Sequence, residues 1–374
     1  MLLQILNFRR MVPMLVTFAL VSCGPPKGQI TFVPEATETG TIETVLVSTS
    51  RAPTEEPGQV FGAGRSVAPN FARFNVSVPP QHVPGSVTFP KGNRPNLKTD
   101  FVVASAQKLP DARALTRAIN EEAFQTSRGD RPAWIFIHGY NTSFAQGLYR
   151  QVQLQYDMDR TWASVHFSWP SAAQTRYYEY DRESALYSVG ALITTLEALA
   201  DSSATEFNLV AHSMGTALLM DALWVMAQSG HEKFFRKINV VVLMSPDMGV
   251  DVFRAQAPDL IERETPIFVV VSETDRALRI SAILRGEQDR LGSIRSADEL
   301  GGLDVGVIDL TNIKSGDSLG HFKVGTSPEV IEFVRSLHES GQEVFSGKQA
   351  GVIGSSAALA QQGGSVTVVP KPSQ

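Results

Sequence analysis

Residues Asn208–Gly215 put a serine where it can act as a nucleophile. A short apolar run leads into Ser213, and residues 216–228 repeat apolar side chains at three- and four-residue spacing, which predicts a helix. A strand, a tight turn that carries a serine and a helix form a nucleophile elbow. A serine hydroxyl is a weak nucleophile, so it must stand clear of the backbone within reach of a base. Ser213 is therefore the candidate nucleophile, and the backbone N–H of Met214 is a candidate oxyanion donor.

The turn departs from the usual G-x-S-x-G pattern at its first position, where this chain has Ala211. Alanine is small enough to permit the turn, but so short a match is a weak signal by itself. The alternative is a serine at an ordinary strand-to-helix turn. The choice depends on whether the rest of the chain supplies a base, an acid and a second oxyanion donor.

A second oxyanion donor is predicted after the apolar strand at residues 134–137. That strand ends in the sequence His138–Asn141, HGYN. Reactive groups gather at the carboxyl ends of parallel strands, so this turn is expected beside the serine. A turn that contains glycine would let the backbone N–H of Tyr140 face the same oxyanion. The alternative is a plain turn with a helix cap at Thr142 or Ser143.

The candidate base is His321, which lies just past the predicted last strand at residues 305–310. Each of the other histidines has an ordinary explanation. His212 is expected to point away from the serine across the elbow, His138 belongs to the turn after a strand, and His166 lies inside a strand. His82 and His231 lie in loops or at helix ends, and His338 lies on the terminal helix. Serine, then an acid, then histidine is the chain order that goes with a nucleophile elbow.

Two aspartates compete for the role of triad acid. Asp275 follows the predicted strand at residues 267–272, and Asp247 follows the predicted strand at residues 238–244. Both precede His321, so chain order does not separate them. We favour Asp275, because the acid most often follows the second strand after the elbow strand, and because Asp247 has an alternative role as the cap of the next helix. Glu273 and Asp317 are weaker candidates.

Strand and helix patterns alternate from residue 100 onward. This alternation implies right-handed crossovers and a largely parallel sheet. Near-continuous apolar strands such as residues 238–244 (INVVVLM) fit a sheet that is covered on both faces. We predict an α/β domain over residues 44–340, with a mostly parallel central sheet and helices on both faces. Residues 51–95 are predicted to be irregular with short strands, and Glu179–Ala200 to be one long helix.

The composition excludes several classes of function. The chain has 374 residues, a formal net charge of −5 and a pI of about 5.9. An acidic chain without a basic stripe disfavours nucleic-acid binding. A single cysteine excludes an internal disulfide framework. Histidine and cysteine do not occur at zinc-site spacing, so we expect no metal site.

The N-terminal residues have the features of an export signal. Two arginines precede the apolar run Met11–Val21, which is too short to span a membrane. The run is followed by a cysteine in the sequence Leu20–Cys23, which resembles a bacterial lipobox. We expect residues 1–22 to be a signal peptide and Cys23 to carry a lipid anchor. An ordinary signal peptide with an incidental cysteine is the alternative.

The residues next to these signals predict the location and the flexible ends of the chain. Gly24 follows the cysteine, where an aspartate would retain a lipoprotein at the inner membrane. We therefore expect a bacterial envelope protein on the periplasmic side, anchored in the outer membrane. Residues 23–43 are predicted to be a flexible tether. Residues 341–374, rich in small and polar side chains, are predicted to be a disordered tail.

These motifs together resemble those of the α/β-hydrolase superfamily, which includes serine esterases and lipases. The resemblance is strongest to an uncharacterised bacterial subgroup with HGYN and AHSMG motifs, in which alanine at the first elbow position recurs. The residues that carry the resemblance are His138–Asn141, Phe167–Ser171, Ala211–Gly215, Ser245–Asp247, Ser272–Leu278 and His321.

The resemblance implies a Ser–Asp–His triad that cleaves an acyl ester, or a related acyl bond, through an acyl-enzyme and without a cofactor. The implied partner is a small-molecule or lipid acyl substrate. Aromatic side chains after the strand at 164–167 are candidates to line an acyl pocket, with ordinary packing as the alternative: Trp169, Tyr177, Tyr178 and Tyr180. A rival from another class is an envelope-tethered binding or scaffolding protein that has a hydrolase fold without turnover.

Overall fold

The computed structural model describes residues 28–91, 94–126, 129–159, 162–286, 289–339 and 363–368. Ten strands form one mixed sheet in this part of the chain. They are β1 (Thr41–Pro53), β2 (Phe61–Val78), β3 (Val102–Leu109), β4 (Pro132–Ile137), β5 (Ala163–Ser168), β6 (Glu206–His212), β7 (Ile238–Met244), β8 (Ile267–Val271), β9 (Gly306–Asp309) and β10 (Ser365–Val368).

The α-helices of the described residues connect these strands and pack on the sheet. They are α1 (Ala112–Thr126), α2 (Phe144–Asp157), α3 (Tyr178–Tyr187), α4 (Val189–Ala200), α5 (Met214–Gln228), α6 (Glu232–Phe235), α7 (Val250–Ile261), α8 (Arg276–Arg285), α9 (Lys323–Thr326) and α10 (Pro328–Glu339). Short 3-10 helices lie at Pro34–Glu38, Thr175–Tyr177, Leu291–Ser293 and Ala297–Leu300.

The strand order is β10-β9-β8-β7-β6-β4-β5-β1-β2-β3. The strands from β9 to β1 in this order pair in parallel, whereas β2, β3 and β10 are antiparallel to their neighbours. All carboxyl ends of the parallel strands therefore face one edge of the sheet. The loops after β4, β6, β7, β8 and β9 meet at that edge, where ligands bind in open α/β sheets.

Both faces of the parallel strands are buried. In β4, Ile135 and Ile137 join a core that includes side chains of α1, α4, α5 and α7. Trp134 and Phe136, which alternate with them, join a second core that includes side chains of α10 and the end of α2. This two-sided burial explains why the strands are apolar without interruption, and it confirms the predicted layered α/β fold.

The region at residues 51–95 is more regular than predicted. β1 has 13 residues and β2 has 18, and they pair antiparallel from Thr41 opposite Val78 to Pro53 opposite Phe61. Polar residues interrupt the apolar pattern in both strands: glutamate, threonine, serine and arginine in β1, and arginine, serine and asparagine in β2. Strand formation here follows from pairing with a neighbour, which depends little on local hydrophobicity.

The ordered fold also extends beyond the predicted domain bounds of 44 and 340. Ile30 and Ala36 are buried, and Phe32 bridges to Val103 of β3, so residues 28–43 are not a free tether. Within the stretch predicted to be a disordered tail, β10 pairs antiparallel with β9. The exposed edge of β9 provides hydrogen-bond partners that composition alone does not reveal.

The predicted single helix at Glu179–Ala200 is divided into α3 and α4 at Ser188. The Ser188 hydroxyl donates to the carbonyl of Ser184 at 2.6 Å and lies 2.7 Å from the Ser50 hydroxyl of β1. Serine side chains that bond nearby carbonyl groups commonly bend helices, which accounts for the division.

The predicted signal peptide and Cys23 lie outside the described residues. Within the ranges that the structure describes, the helices are all too short or too polar to cross a membrane.

Candidate active site

The elbow joins β6 to α5 at Ser213. Its φ of 53° and ψ of −125° lie in a region that residues with a side chain rarely adopt, and this backbone conformation raises the free energy of the folded chain by about 1–3 kcal/mol. The Ser213 N–H donates to the carbonyl of Met244, at the end of β7, at 2.9 Å. A Cβ on Gly215 would lie 2.4 Å from the carbonyl oxygen of His138, so glycine is required for this close approach. Ala211 is fully buried, so the fold accommodates its methyl group.

The turn after β4 packs directly on the elbow. A Cβ on Gly139 would lie 2.8 Å from the Cβ of Ser213. Within the described chain, the N–H groups of Tyr140 and Met214 donate to no protein acceptor, and the first N–H groups of a helix have no partner within it. Two free backbone donors thus come from segments that adjoin the serine, as an oxyanion hole requires.

His138 holds this turn in place. Its Nδ1 lies 2.8 Å from the carbonyl oxygen of Gly139, and its ring stacks on Trp169 with centroids 4.9 Å apart. The indole N–H of Trp169 donates to the His138 carbonyl at 2.7 Å. Burial, together with the nearby charge of Arg51, holds the pKa of His138 well below its usual value, so the ring is neutral. Trp169 is fully buried here, so it packs the turn instead of lining a pocket.

His321 and Asp275 form a close pair. Nδ1 of His321 lies 2.6 Å from Oδ2 of Asp275, whose side chain is completely buried. The other carboxylate oxygen accepts from the N–H of Leu278 at 3.0 Å and caps α8. A carboxylate only accepts, so Nδ1 carries the proton and Nε2 is the nitrogen that can receive one.

The loop that carries His321 lies against the elbow. The rings of His321 and His212 are 4.7 Å apart, and His212 directly precedes Ser213. Burial, together with the neighbouring His321, holds the pKa of His212 well below its usual value. Among the described residues no hydrogen bond joins the Ser213 hydroxyl to His321. Such contacts are often long in unliganded enzymes and tighten when substrate binds.

Asp317 anchors this loop. Its carboxylate accepts from the N–H of Leu319 at 2.9 Å, of His321 at 3.1 Å and of Phe322 at 2.9 Å. Burial alone would raise the pKa of Asp317, but hydrogen bonds from Ser315 and these N–H groups outweigh it and lower the pKa to about 2. Asp317, a weaker candidate for the triad acid, thus fixes the backbone of the base and does not contact its ring nitrogens.

The model of a family described as alpha/beta hydrolase of unknown function (DUF900) matches residues 114–338, more than half of the chain. The chain belongs to this family. The match covers the turn after β4, the elbow and the loop of His321. No curated protein matches the chain.

Solved structures that are similar to this α/β-hydrolase include a dienelactone hydrolase from Anabaena variabilis, at 11% identity over 72% of this chain and 90% of that chain, with a TM-score of 0.36. An esterase from Pyrobaculum calidifontis is 14% identical over 82% of this chain and 87% of that chain, with a TM-score of 0.37. A thermophilic carboxylesterase cloned from a metagenomic library is 13% identical over 82% and 93%, with a TM-score of 0.37. Similarity at this level carries no argument about activity.

The second candidate acid of the α/β-hydrolase has other partners. Asp247 accepts from the hydroxyl of Ser281 at 2.6 Å and of Tyr178 at 3.0 Å, and it pairs with buried Arg290 at 3.5 Å. It does not cap α7: the cap residue is Gly249, without a side-chain hydrogen bond. The interpretation of Asp247 as a helix cap is therefore wrong, because its carboxylate turns toward α3 and α8.

The tyrosines after β5 divide between the interior and the surface. Tyr178 is buried, and its ring meets Tyr140 edge-on at 5.2 Å. The hydroxyl of Tyr140 donates to the carbonyl of Thr175. Tyr180 turns outward and donates to the carbonyl of Ala63 at 2.7 Å. Tyr178 therefore contacts the ring of Tyr140, the candidate oxyanion donor, whereas Trp169 contacts His138 at the start of the same turn.

Sequence reasoning missed two buried charges beside that turn, Arg51 of β1 and Asp181 of α3. Their side chains bond the segments that follow β4 and β5. Arg51 is 1% exposed, and burial lowers its pKa to about 9, although the negative charge of Asp181 opposes the shift. Arg51 lies near the end of β1, directly after the buried run at residues 45–50, and no sequence motif marks it. In the described part of the chain, acidic, histidine and cysteine side chains form no group that could hold a metal ion.

Proposed function

We propose that this α/β-hydrolase is a serine hydrolase that cleaves an acyl ester, or a related acyl bond, through an acyl-enzyme. Ser213 is the nucleophile, His321 the base and Asp275 the acid that orients the base. The single observation that supports this most is the 2.6 Å contact between Nδ1 of His321 and the buried carboxylate of Asp275, on a loop that touches the elbow.

The reaction follows from the chemistry of these groups. The Ser213 oxygen attacks the substrate carbonyl while Nε2 of His321 takes the hydroxyl proton. Asp275 stabilises the imidazolium that forms. The N–H groups of Tyr140 and Met214 donate to the oxyanion of the tetrahedral intermediate. The intermediate expels the alcohol, which takes the proton from His321, and water then releases the acid by the same steps in reverse.

Labelling with a fluorophosphonate tests the nucleophile. We expect mass spectrometry to find the label on the peptide that contains Ser213, and turnover in Ser213→Ala to fall by about a millionfold. Ester hydrolysis that persists in pure Ser213→Ala would contradict the proposal. A folded wild-type protein that is neither labelled nor active on any ester would favour the binding or scaffolding alternative.

The substrate class is best tested with a series of p-nitrophenyl esters of increasing chain length. A small-molecule substrate would give the highest kcat/KM with short acyl groups. A lipid acyl substrate would give a maximum at long chains. A fold does not specify a substrate, so this series is needed to separate the two substrate classes within the proposal.

We also propose that the mature protein is anchored by lipid at Cys23 on the periplasmic side of the outer membrane. The support is the lipobox-like sequence Leu20–Cys23 and the glycine that follows it. Several acyl chains would bind a bilayer far more firmly than a single chain does. In Cys23→Ser we expect loss of processing and of the lipid mass. Equal processing of the variant and the wild type would contradict this.

A further inference from the structure

We infer that Asp181 and Arg51 are positioning residues that hold the turn of the oxyanion donor Tyr140 against Ser213. The inference rests on the proposed function, because it assigns a role in stabilising the tetrahedral intermediate. Neither residue belongs to a motif that predicts this chemistry, and both are buried beside the carboxyl ends of β4 and β5.

Asp181 reaches this turn from α3. Its Oδ2 accepts from the N–H of Asn141 at 3.1 Å and from the hydroxyl of Ser171 at 2.5 Å, and its Oδ1 accepts from the N–H of Ala172 at 2.6 Å. One carboxylate thus bonds the turn after β4 and the loop after β5. Hydrogen bonds to a charged acceptor are roughly twice as strong as neutral ones, which suits a group that fixes two loops at once.

Arg51 reaches the same two loops from β1. Its guanidinium donates to the carbonyl of Thr142 at 2.8 Å, to the carbonyl of Ser171 at 3.0 Å and to the Ser168 hydroxyl at 2.9 Å. The rigid fork of arginine suits this task, since its donors point in fixed directions. Ser171 connects the two charges, because its hydroxyl donates to Asp181 while its carbonyl accepts from Arg51.

The clamped backbone adjoins the candidate oxyanion donor. Asn141 has a φ of 56°, a conformation that costs about 1–3 kcal/mol in a residue with a side chain and persists only when its surroundings enforce it. Its N–H is bonded to Asp181, and the N–H of Thr142 is bonded to the Ser171 oxygen at 3.0 Å. The two peptides after Tyr140 are thereby fixed, and they limit the rotation of the neighbouring Gly139–Tyr140 peptide, which carries the Tyr140 N–H.

The expected effect on turnover comes from the geometry of the turn, because the two side chains bond backbone groups of Asn141 and Thr142. A donor must lie within about 2.7–3.1 Å of the oxyanion to stabilise it, and loss of one donor costs on the order of a hundredfold or more in kcat.

The test compares Asp181→Asn with Asp157→Asn, a matched control. Asp157 is also buried and also accepts from a backbone N–H, that of Gly85 at 2.7 Å, as well as pairing with His82 at 2.6 Å. It lies at the end of α2, beside the start of β1, away from the carboxyl edge of the sheet. Both variants lose a buried negative charge, but only Asp181→Asn changes a hydrogen bond to the turn after β4.

On a short p-nitrophenyl ester, we expect kcat of Asp181→Asn to fall by about 10- to 100-fold with KM within about twofold, since an oxyanion donor acts mainly in the transition state. Fluorophosphonate labelling of Ser213 should slow by a similar factor. Asp157→Asn should keep the kcat of the wild type, although its melting temperature should fall about as far as that of Asp181→Asn. An unchanged kcat in Asp181→Asn, or an equal fall in both variants, would overturn the inference.

A double variant distinguishes a loss of turnover caused by a misplaced turn from one caused by an unbalanced buried charge. In Asp181→Asn with Arg51→Met, the uncompensated arginine is gone, so the melting temperature should rise above that of Asp181→Asn while kcat stays low. Recovery of kcat would mean that charge balance, and not position, matters. If Asp181→Asn does not fold, Ser171→Ala decides the question by the same kcat and KM criteria. A wild type that is neither active nor labelled would refute the proposed function itself.

Discussion

Asp247 and Asp275 each follow a parallel strand, β7 and β8, and the two residues are 2% and 0% exposed. Their partners differ. Asp275 accepts from His321 and from the N–H at the start of α8, whereas Asp247 accepts from Tyr178 and from Ser281 in the middle of that helix. One helix thus donates hydrogen bonds to both acids, and the comparison shows that strand position alone does not give a carboxylate its role.

The largest expected effect follows from replacing Asp275. Asp275→Asn should lower kcat by about ten-thousandfold, because His321 then adopts the wrong tautomer. Its melting temperature should hardly change, since asparagine caps helices about as well as aspartate. Steady-state kinetics and thermal unfolding on the same preparation check both parts. A folded, near-fully active Asp275→Asn beside a folded but inactive Asp247→Asn would reverse the assignment.

Asp247→Asn should act on stability and spare turnover. Removing the negative charge leaves buried Arg290 less compensated, and breaking a buried ion pair costs about 3–5 kcal/mol. We expect a lower midpoint of urea unfolding and a kcat within about threefold of the wild type. A loss of turnover at full stability would show that this carboxylate takes part in the reaction.

Tyr178→Phe examines the same buried cluster with a smaller change. The substitution removes the hydroxyl that donates to Asp247 at 3.0 Å, at a cost of about 1–2 kcal/mol. Kinetics on short and long esters should be unchanged if the ring only packs. A KM that changes with acyl length alone would instead assign Tyr178 to the acyl pocket.

The smallest expected effect concerns Asp317, a third carboxylate at this edge. Its pKa of about 2 lies below the ordinary value of 3.8, so its stabilisation is complete above about pH 4 and is lost as the pH falls toward 2. The group is half-buried, and screening limits the effect to about 1 kcal/mol. The free energies of unfolding of the wild type and Asp317→Asn should therefore converge between pH 5 and pH 2.5. A constant difference across this range would contradict the assignment.

Local patterns predicted the parallel part of the molecule closely. β7 at Ile238–Met244 has the predicted bounds, because the apolar pattern of a strand reports its burial directly. The extent of the antiparallel strands was greater than the sequence predicted. β1 and β2 carry polar residues within long strands, and β10 lies in a polar tail, so their pairing depends on neighbours that are distant in sequence.

Local sequence patterns are enough to predict which chemical groups stand at the ends of the strands: a serine on a turn, a histidine on a loop and two aspartates between them. Which aspartate meets the histidine depends on how the chain packs. Asp275 and His321 are 46 residues apart, and Arg51 reaches Thr142 across 91 residues. A hydrogen bond acts over about 3 Å, so such pairs form only where packing of the sheet, α8 and the loops brings them together.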